Sequence, residues 1–257
     1  MSFQFTKFEV FPYIAANRYA LEWDGIGLGS FTFVIEYGYN ETGPWQKLQE
    51  VTDTKSVIVS VAERNLSTID RTWFRLAAKQ NNQIVAYSSP TGVGVDIDRE
   101  DYLRYREMLR RWNLELKKYT GSRGKLLRLR YFGEVASNVH PILGQPIGTE
   151  DVDGLGQKYK GGYWPAIEMY AAYTDTTEET QQLKVEEQGL SETDVSAFYA
   201  MPFPILKPKD IWANMKSNTR HIVDKVQTVD FAGYRVKQFV QISRLPVTDP
   251  AYKVPLQ

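Results

Sequence analysis

The 257-residue chain has no cysteine and only two histidines. The first absence excludes disulfides, iron–sulfur clusters, thiol catalysis and cysteine-ligated zinc. The second leaves little from which to assemble a serine–histidine–aspartate triad. His140 precedes Pro141 and His221 follows Arg220, so neither H-x-x-x-H nor H-E-x-x-H occurs. Phosphate-cradling motifs are missing too. Gly154-Leu155-Gly156 does not extend to a dinucleotide fingerprint, and no Gly-Lys-Ser/Thr loop is present. Net charge is absent, since 31 basic side chains balance 31 acidic ones. That balance argues against coating nucleic acid through bulk charge. No run approaches the ~18 apolar residues of a membrane-spanning helix. The N-terminus lacks the basic-then-apolar pattern of a signal peptide. The expectation is a protein with no membrane association and no cofactor.

What is abundant is aromatic: 16 Tyr, 12 Phe and 6 Trp. Such residues favour strands and packed interfaces. The hydrophobic fraction of 42% and charged fraction of 24% are those of a globular chain, long enough for one large or two smaller domains.

Residues 1–97 read as a β-sandwich. Tyr19–Trp23, Phe31–Tyr37, Ser56–Val61, Thr72–Ala78 and Ile84–Tyr87 are short apolar runs, several alternating with polar residues. Turn clusters at Asn40–Pro44 and Gln80–Gln83 separate them. Residues 98–122 predict a basic amphipathic helix. Asp98 stands at the N-cap, and Tyr102, Tyr105, Leu109, Trp112, Leu116 and Tyr119 recur every three or four positions. Gly121 stands as a stop signal. Residues 123–257 read as a second, mostly β domain, with strands at Gly124–Phe132, Ile167–Tyr173, Gln181–Val185, Ser196–Met201, Asp210–Trp212, His221–Val226 and Phe239–Leu245. Between Gly133 and Pro165 lies a long stretch with seven glycines and little periodicity, as in functional loops.

Two resemblances rest on these residues. Leu21-Glu22-Trp23, Ile35-Glu36-Tyr37, Thr42-Gly43-Pro44-Trp45, Trp73–Ala78 and Tyr87-Ser88-Ser89-Pro90 together resemble a fibronectin type III domain. That resemblance implies Trp23 as the buried tryptophan of the second strand. Over 99–257, the order of motifs resembles the neck, or head–tail connector, proteins of tailed bacteriophages. These motifs are the helix Tyr105–Asn113, Lys125–Leu127 through Tyr131-Phe132-Gly133-Glu134, Lys160–Pro165, Pro204–Ile211 and the terminal Val240–Leu245. The Leu206-Lys207-Pro208-Lys209-Asp210-Ile211 segment and the strands after it are similar to the small β-barrel of head-closure, or stopper, proteins. Those relatives carry paired cysteines around the long loop. Here Val135–Asn138 and Asp153–Gly156 stand there, so no thiolate-held metal closes it.

The resemblance implies a structural virion protein with no enzymatic activity. It implies a ring, of 6 or 12 copies, at the head–tail junction. Its partners would be a portal or adaptor protein on one side and a tail terminator or tail tube protein on the other. Genomic DNA would pass through the channel without sequence-specific binding. Other tail components, a terminator or a baseplate part, are an alternative. A sugar- or protein-binding module displaying Trp23, Trp45, Trp73 or Trp164 is another. Ring contacts join two different surfaces, which segregated charge serves. Residues 99–130 hold 11 basic and 4 acidic side chains, whereas 131–200 hold 3 and 12, and 201–257 hold 9 and 4. The candidate interface residues are therefore Arg99, Arg104, Arg106, Arg110, Arg111, Lys117 and Lys118 on the helix. Glu150, Asp151, Asp153, Tyr163 and Trp164 are those of the loop. Glu150-Asp151-Val152-Asp153-Gly154 lacks the further acidic positions of a calcium loop, so no metal is expected there. Consecutive pairs such as Glu178-Glu179 and Glu186-Glu187 point to opposite faces of a strand and make no acid/base pair.

Overall fold

The computed structural model describes residues 3–13, 17–61, 72–93, 97–137, 140, 154–155, 157–174 and 195–256. The fold is mainly β, with one α-helix among the described residues. The chain divides into two compact units, Met1–Arg106 with Arg130–Pro165, and Glu107–Leu129 with Ala166–Gln257.

In the first unit, two antiparallel sheets form a sandwich. One is β1 (Gln4–Tyr13), β2 (Arg18–Ile26) and β5 (Ser56–Ser60), in the order β1-β2-β5. The other orders β4 (Gln46–Thr52), β3 (Thr32–Gly38), β6 (Thr72–Gln80) and β7 (Gln83–Tyr87), with β8 (Thr91–Val93) on β6. Trp23 of β2 faces Phe33 of β3 at 5.0 Å between ring centroids, and Tyr19 faces Phe74 at the same distance. Asn81 and Asn82 both have positive φ, as the two-residue turn joining β6 to β7 requires. The outward side of β2 is buried as well. Lys55 is fully buried, with Glu22 at 3.3 Å and Asp24 at 3.4 Å.

The expected boundaries differ from these units in two places, and one is the helix expected as a segment of its own over 98–122, which is divided at Arg106/Glu107. The sequence pattern places 123–257 together, yet Arg130–Pro165 belongs to the first unit. Apolar burial explains this. Phe132 packs 5.2 Å from Phe3, 5.9 Å from Phe33 and 4.9 Å from Trp164. Burying an aromatic side chain contributes about 1.5–3 kcal/mol. Backbone bonds add register: Gly29 N–H donates to Gly133 O at 3.0 Å, and Gly133 N–H to Gly27 O at 3.3 Å. Nor is the described part of the Gly133–Pro165 stretch structureless. Val135 bridges Tyr159, Ala136 N–H donates to Lys158 O, and Lys160 N–H to Glu134 O.

In the second unit, six strands close a barrel in the order β10-β11-β14-β13-β12-β9. They are β9 (Ser122–Leu127), β10 (Ile167–Thr174), β11 (Val195–Ala200), β12 (Ile211–Asn214), β13 (Thr219–Phe231) and β14 (Tyr234–Arg244). Leu126, Met169, Phe198, Trp212, Val240 and Ile242 fill the interior. Trp212 fits because Gly124 lies beneath it. A Cβ there would stand 2.1 Å from the indole. β13 and β14 continue well past His221–Val226 and Phe239–Leu245, turning at Ala232-Gly233. The expected strand at Gln181–Val185 lies outside the described residues.

Two buried side chains organise the segments that link the strands. The Asp210 carboxylate accepts from the Leu129 N–H at 2.9 Å and the Lys207 N–H at 2.8 Å, holding the turn into β12. The Gln238 amide donates to Met201 O and Pro204 O and accepts from the Leu206 N–H.

The helix α1 (Arg99–Glu115) begins directly after Asp98, whose carbonyl accepts from the Tyr102 N–H at 2.9 Å. The division between units falls within it, at Arg106/Glu107. Tyr102, Tyr105, Leu109 and Leu116 are buried and Trp112 half-buried, as the apolar spacing predicts. Tyr119 departs from that stripe and is 73% exposed. The chain runs as a π-helical turn over Leu116–Thr120, and its smaller rotation per residue carries Tyr119 off the stripe. Gly121 ends the turn with its N–H on Leu116 O, so closely that a Cβ would meet that oxygen at 2.1 Å.

Candidate functional site

Three of the expected helix cations are engaged within the helix itself. Arg104 lies 3.3 Å from Asp101 and 3.8 Å from Glu100. Arg110 and Arg111 share the Glu107 carboxylate, at 2.8 Å and 2.7 Å. Their hydrogen bonds hold Glu107 down to a pKa of about 2 and raise that of Arg110. Lys117 stands 5.8 Å from the Tyr170 ring. Arg99, Lys117 and Lys118 are exposed, and Arg106 is half-buried. The basic excess of residues 99–130 is therefore partly offset within the helix by i,i+3 and i,i+4 pairs.

Of the loop candidates, Glu150, Asp151 and Asp153 lie outside the described residues. Tyr163 and Trp164 are buried within the first unit, Trp164 to 3% exposure. Trp164 packs into the aromatic cluster around Phe132, 4.9 Å between ring centroids. Trp23 is likewise buried, and Trp45 and Trp73 are half-buried. The Trp45 ring is covered by Arg75, whose guanidinium sits 4.6 Å from both Trp45 and Tyr87 and whose Nε is 2.6 Å from Glu36. No free indole face remains at Trp45 on that side for stacking a sugar.

No group of three or more His, Asp or Glu side chains among the described residues could hold a metal ion. His221 is pushed below its ordinary pKa by burial and by the Arg244 charge, and its Nδ1 has no partner among the described residues.

The structure does assemble one site that the sequence did not disclose. A cavity of about 330 Å³ opens in the first unit, walled by Phe31, Phe33, Phe132 and Trp164. Arg130 is fixed against it. Its guanidinium stacks 4.2 Å over Trp164, its Nε donates to Tyr163 O at 2.9 Å, and its Nη1 reaches Asp53 Oδ1 at 2.6 Å. Glu134 and Lys160, 3.8 Å apart, stand at the rim. The motifs Tyr131–Glu134 and Lys160–Pro165 were visible in the sequence. Their meeting with Asp53, 77 residues before Arg130, was not.

Comparison with known proteins adds no identity. No family model matches the chain, and no characterised protein matches it by sequence. Among solved structures, one of titin kinase and its flanking domains is similar at 11% identity and a TM-score of 0.29. The match covers 93% of this chain and 37% of that one, and a likeness so slight carries no argument.

Proposed function

We propose that this chain is a non-enzymatic, ring-forming structural subunit of a tailed-bacteriophage virion, standing in the neck between portal and tail. The observation that carries this reading is the union of motif order with architecture. A β-sandwich is followed by a long helix and a closed six-stranded barrel, and the stopper-like segment Leu206–Ile211 is the turn that leads into barrel strand β12. The alternation of basic and acidic blocks along the sequence would serve the unlike contacts that a closed ring needs.

Electron microscopy of the purified protein, and of particles labelled against it, tests the proposal. Rings of 6 or 12 copies and label at the head–tail junction are the expected result. Label on tails lacking heads would move the protein to a terminator or baseplate role. A monomer absent from particles would sink the reading. Reversing Arg106 and Arg110 to Glu tests the helix as an interface, with reduced ring formation by analytical ultracentrifugation expected.

A further inference from the structure

We propose that the Phe31–Phe132–Trp164 cavity binds a carboxylate carried on an apolar body, with Arg130 as the receiving cation. The proposal does not rest on the ring reading, and either can fail alone.

Arg130 is already placed for such a ligand. Its side chain is only 14% exposed, and the Trp164 face and the Tyr163 carbonyl fix its orientation. A guanidinium held this way loses little freedom on receiving an anion. It is now occupied by a carboxylate of a particular kind. Asp53 sits at a turn position with φ of 51°, its side chain 62% exposed. So exposed a partner holds its cation weakly and gives way to a carboxylate bound from the cavity side.

Two further observations point to a missing ligand. Trp164 Nε1 is buried and has no hydrogen-bond acceptor among the described residues. Nature rarely leaves a buried donor unpaired, and an incoming oxygen would satisfy it. The floor is aromatic, formed by Phe31, Phe33 and Phe132, and suits carbon rather than water. Charge selects the class of anion. Arg130 and Lys160 are paired with Asp53 and Glu134, so the incoming group must take the place of Asp53 on Arg130, which a carboxylate matches in charge and shape.

That carboxylate can come from a small molecule or from an acidic side chain beside an apolar residue of a peptide. Two probes separate the sources: phenylacetate and N-acetyl-Phe-Glu-amide, with 2-phenylethanol as the neutral counterpart of the first. The readout is the Trp164 indole N–H resonance, identified by its loss in Trp164→Phe. A saturable shift with phenylacetate alone assigns a small ligand, and with the dipeptide alone a protein segment. A shift with both supports the shared chemistry. Asp53→Asn removes the competing carboxylate while leaving Arg130 in place. It should tighten binding about two- to fivefold. No saturable shift with either probe, equal binding of 2-phenylethanol, or unchanged affinity in Asp53→Asn overturns the proposal.

Discussion

Single residues here act mainly through space they leave or bonds they complete. Gly124 is such a space, because a methyl group at that position meets the Trp212 indole at 2.1 Å. Gly124→Ala should lower stability by about 1–3 kcal/mol, read from thermal or urea unfolding. Gln238 completes bonds. Replacing it with Leu leaves Met201 O, Pro204 O and the Leu206 N–H without their partner. The expected loss is about 2–4 kcal/mol, checked by urea denaturation. Glu107 has a pH signature. Its carboxyl is held at about 2, below its ordinary value of 4.5, so it binds its proton less readily folded than unfolded. Its stabilisation is full above pH 4.5 and fades as pH falls towards 2. Helix stability followed by circular dichroism should fall more steeply over that window in the native protein than in Glu107→Gln.

At the scale of elements, periodicity was legible where a strand or helix has one buried side. The strands at Thr72–Gln80 and Ile167–Thr174 and the helix over Arg99–Glu115 stand where alternation and three-or-four spacing place them. It failed where an element has another constraint. β1 and β4 were not singled out. In β4 no residue is fully buried, so no apolar alternation marks it. The last helical turn shifts to π geometry, which a pattern of 3.6 residues per turn does not anticipate. The basic side chains of the helix do not stand alone: Glu100, Asp101 and Glu107 pair with Arg104, Arg110 and Arg111. What a charge does depends on neighbours a turn away as well as on its own stripe.

For the whole molecule, the discontinuous first unit makes a further prediction. A fragment ending at residue 97 lacks Phe132 and Trp164, leaving Phe3 and Phe33 without the rings that cover them. It should be less stable than residues 1–165 by about 3–6 kcal/mol, measured by chemical denaturation. Equal stability would show that the sandwich closes without the later segment.

The sequence by itself determined the absence of thiol chemistry, the mainly β class, the amphipathic helix over Arg99–Glu115 and most of the described strand positions, since these follow from residue type and local spacing. Only the tertiary structure decided that Arg130–Pro165 joins the first unit, that Trp164 is buried, and that Asp53 meets Arg130 beside an aromatic cavity. Such outcomes depend on which distant apolar surfaces pack best against each other. Local pattern carries no record of that competition, because one aromatic residue is as suited to an exposed interface as to a core.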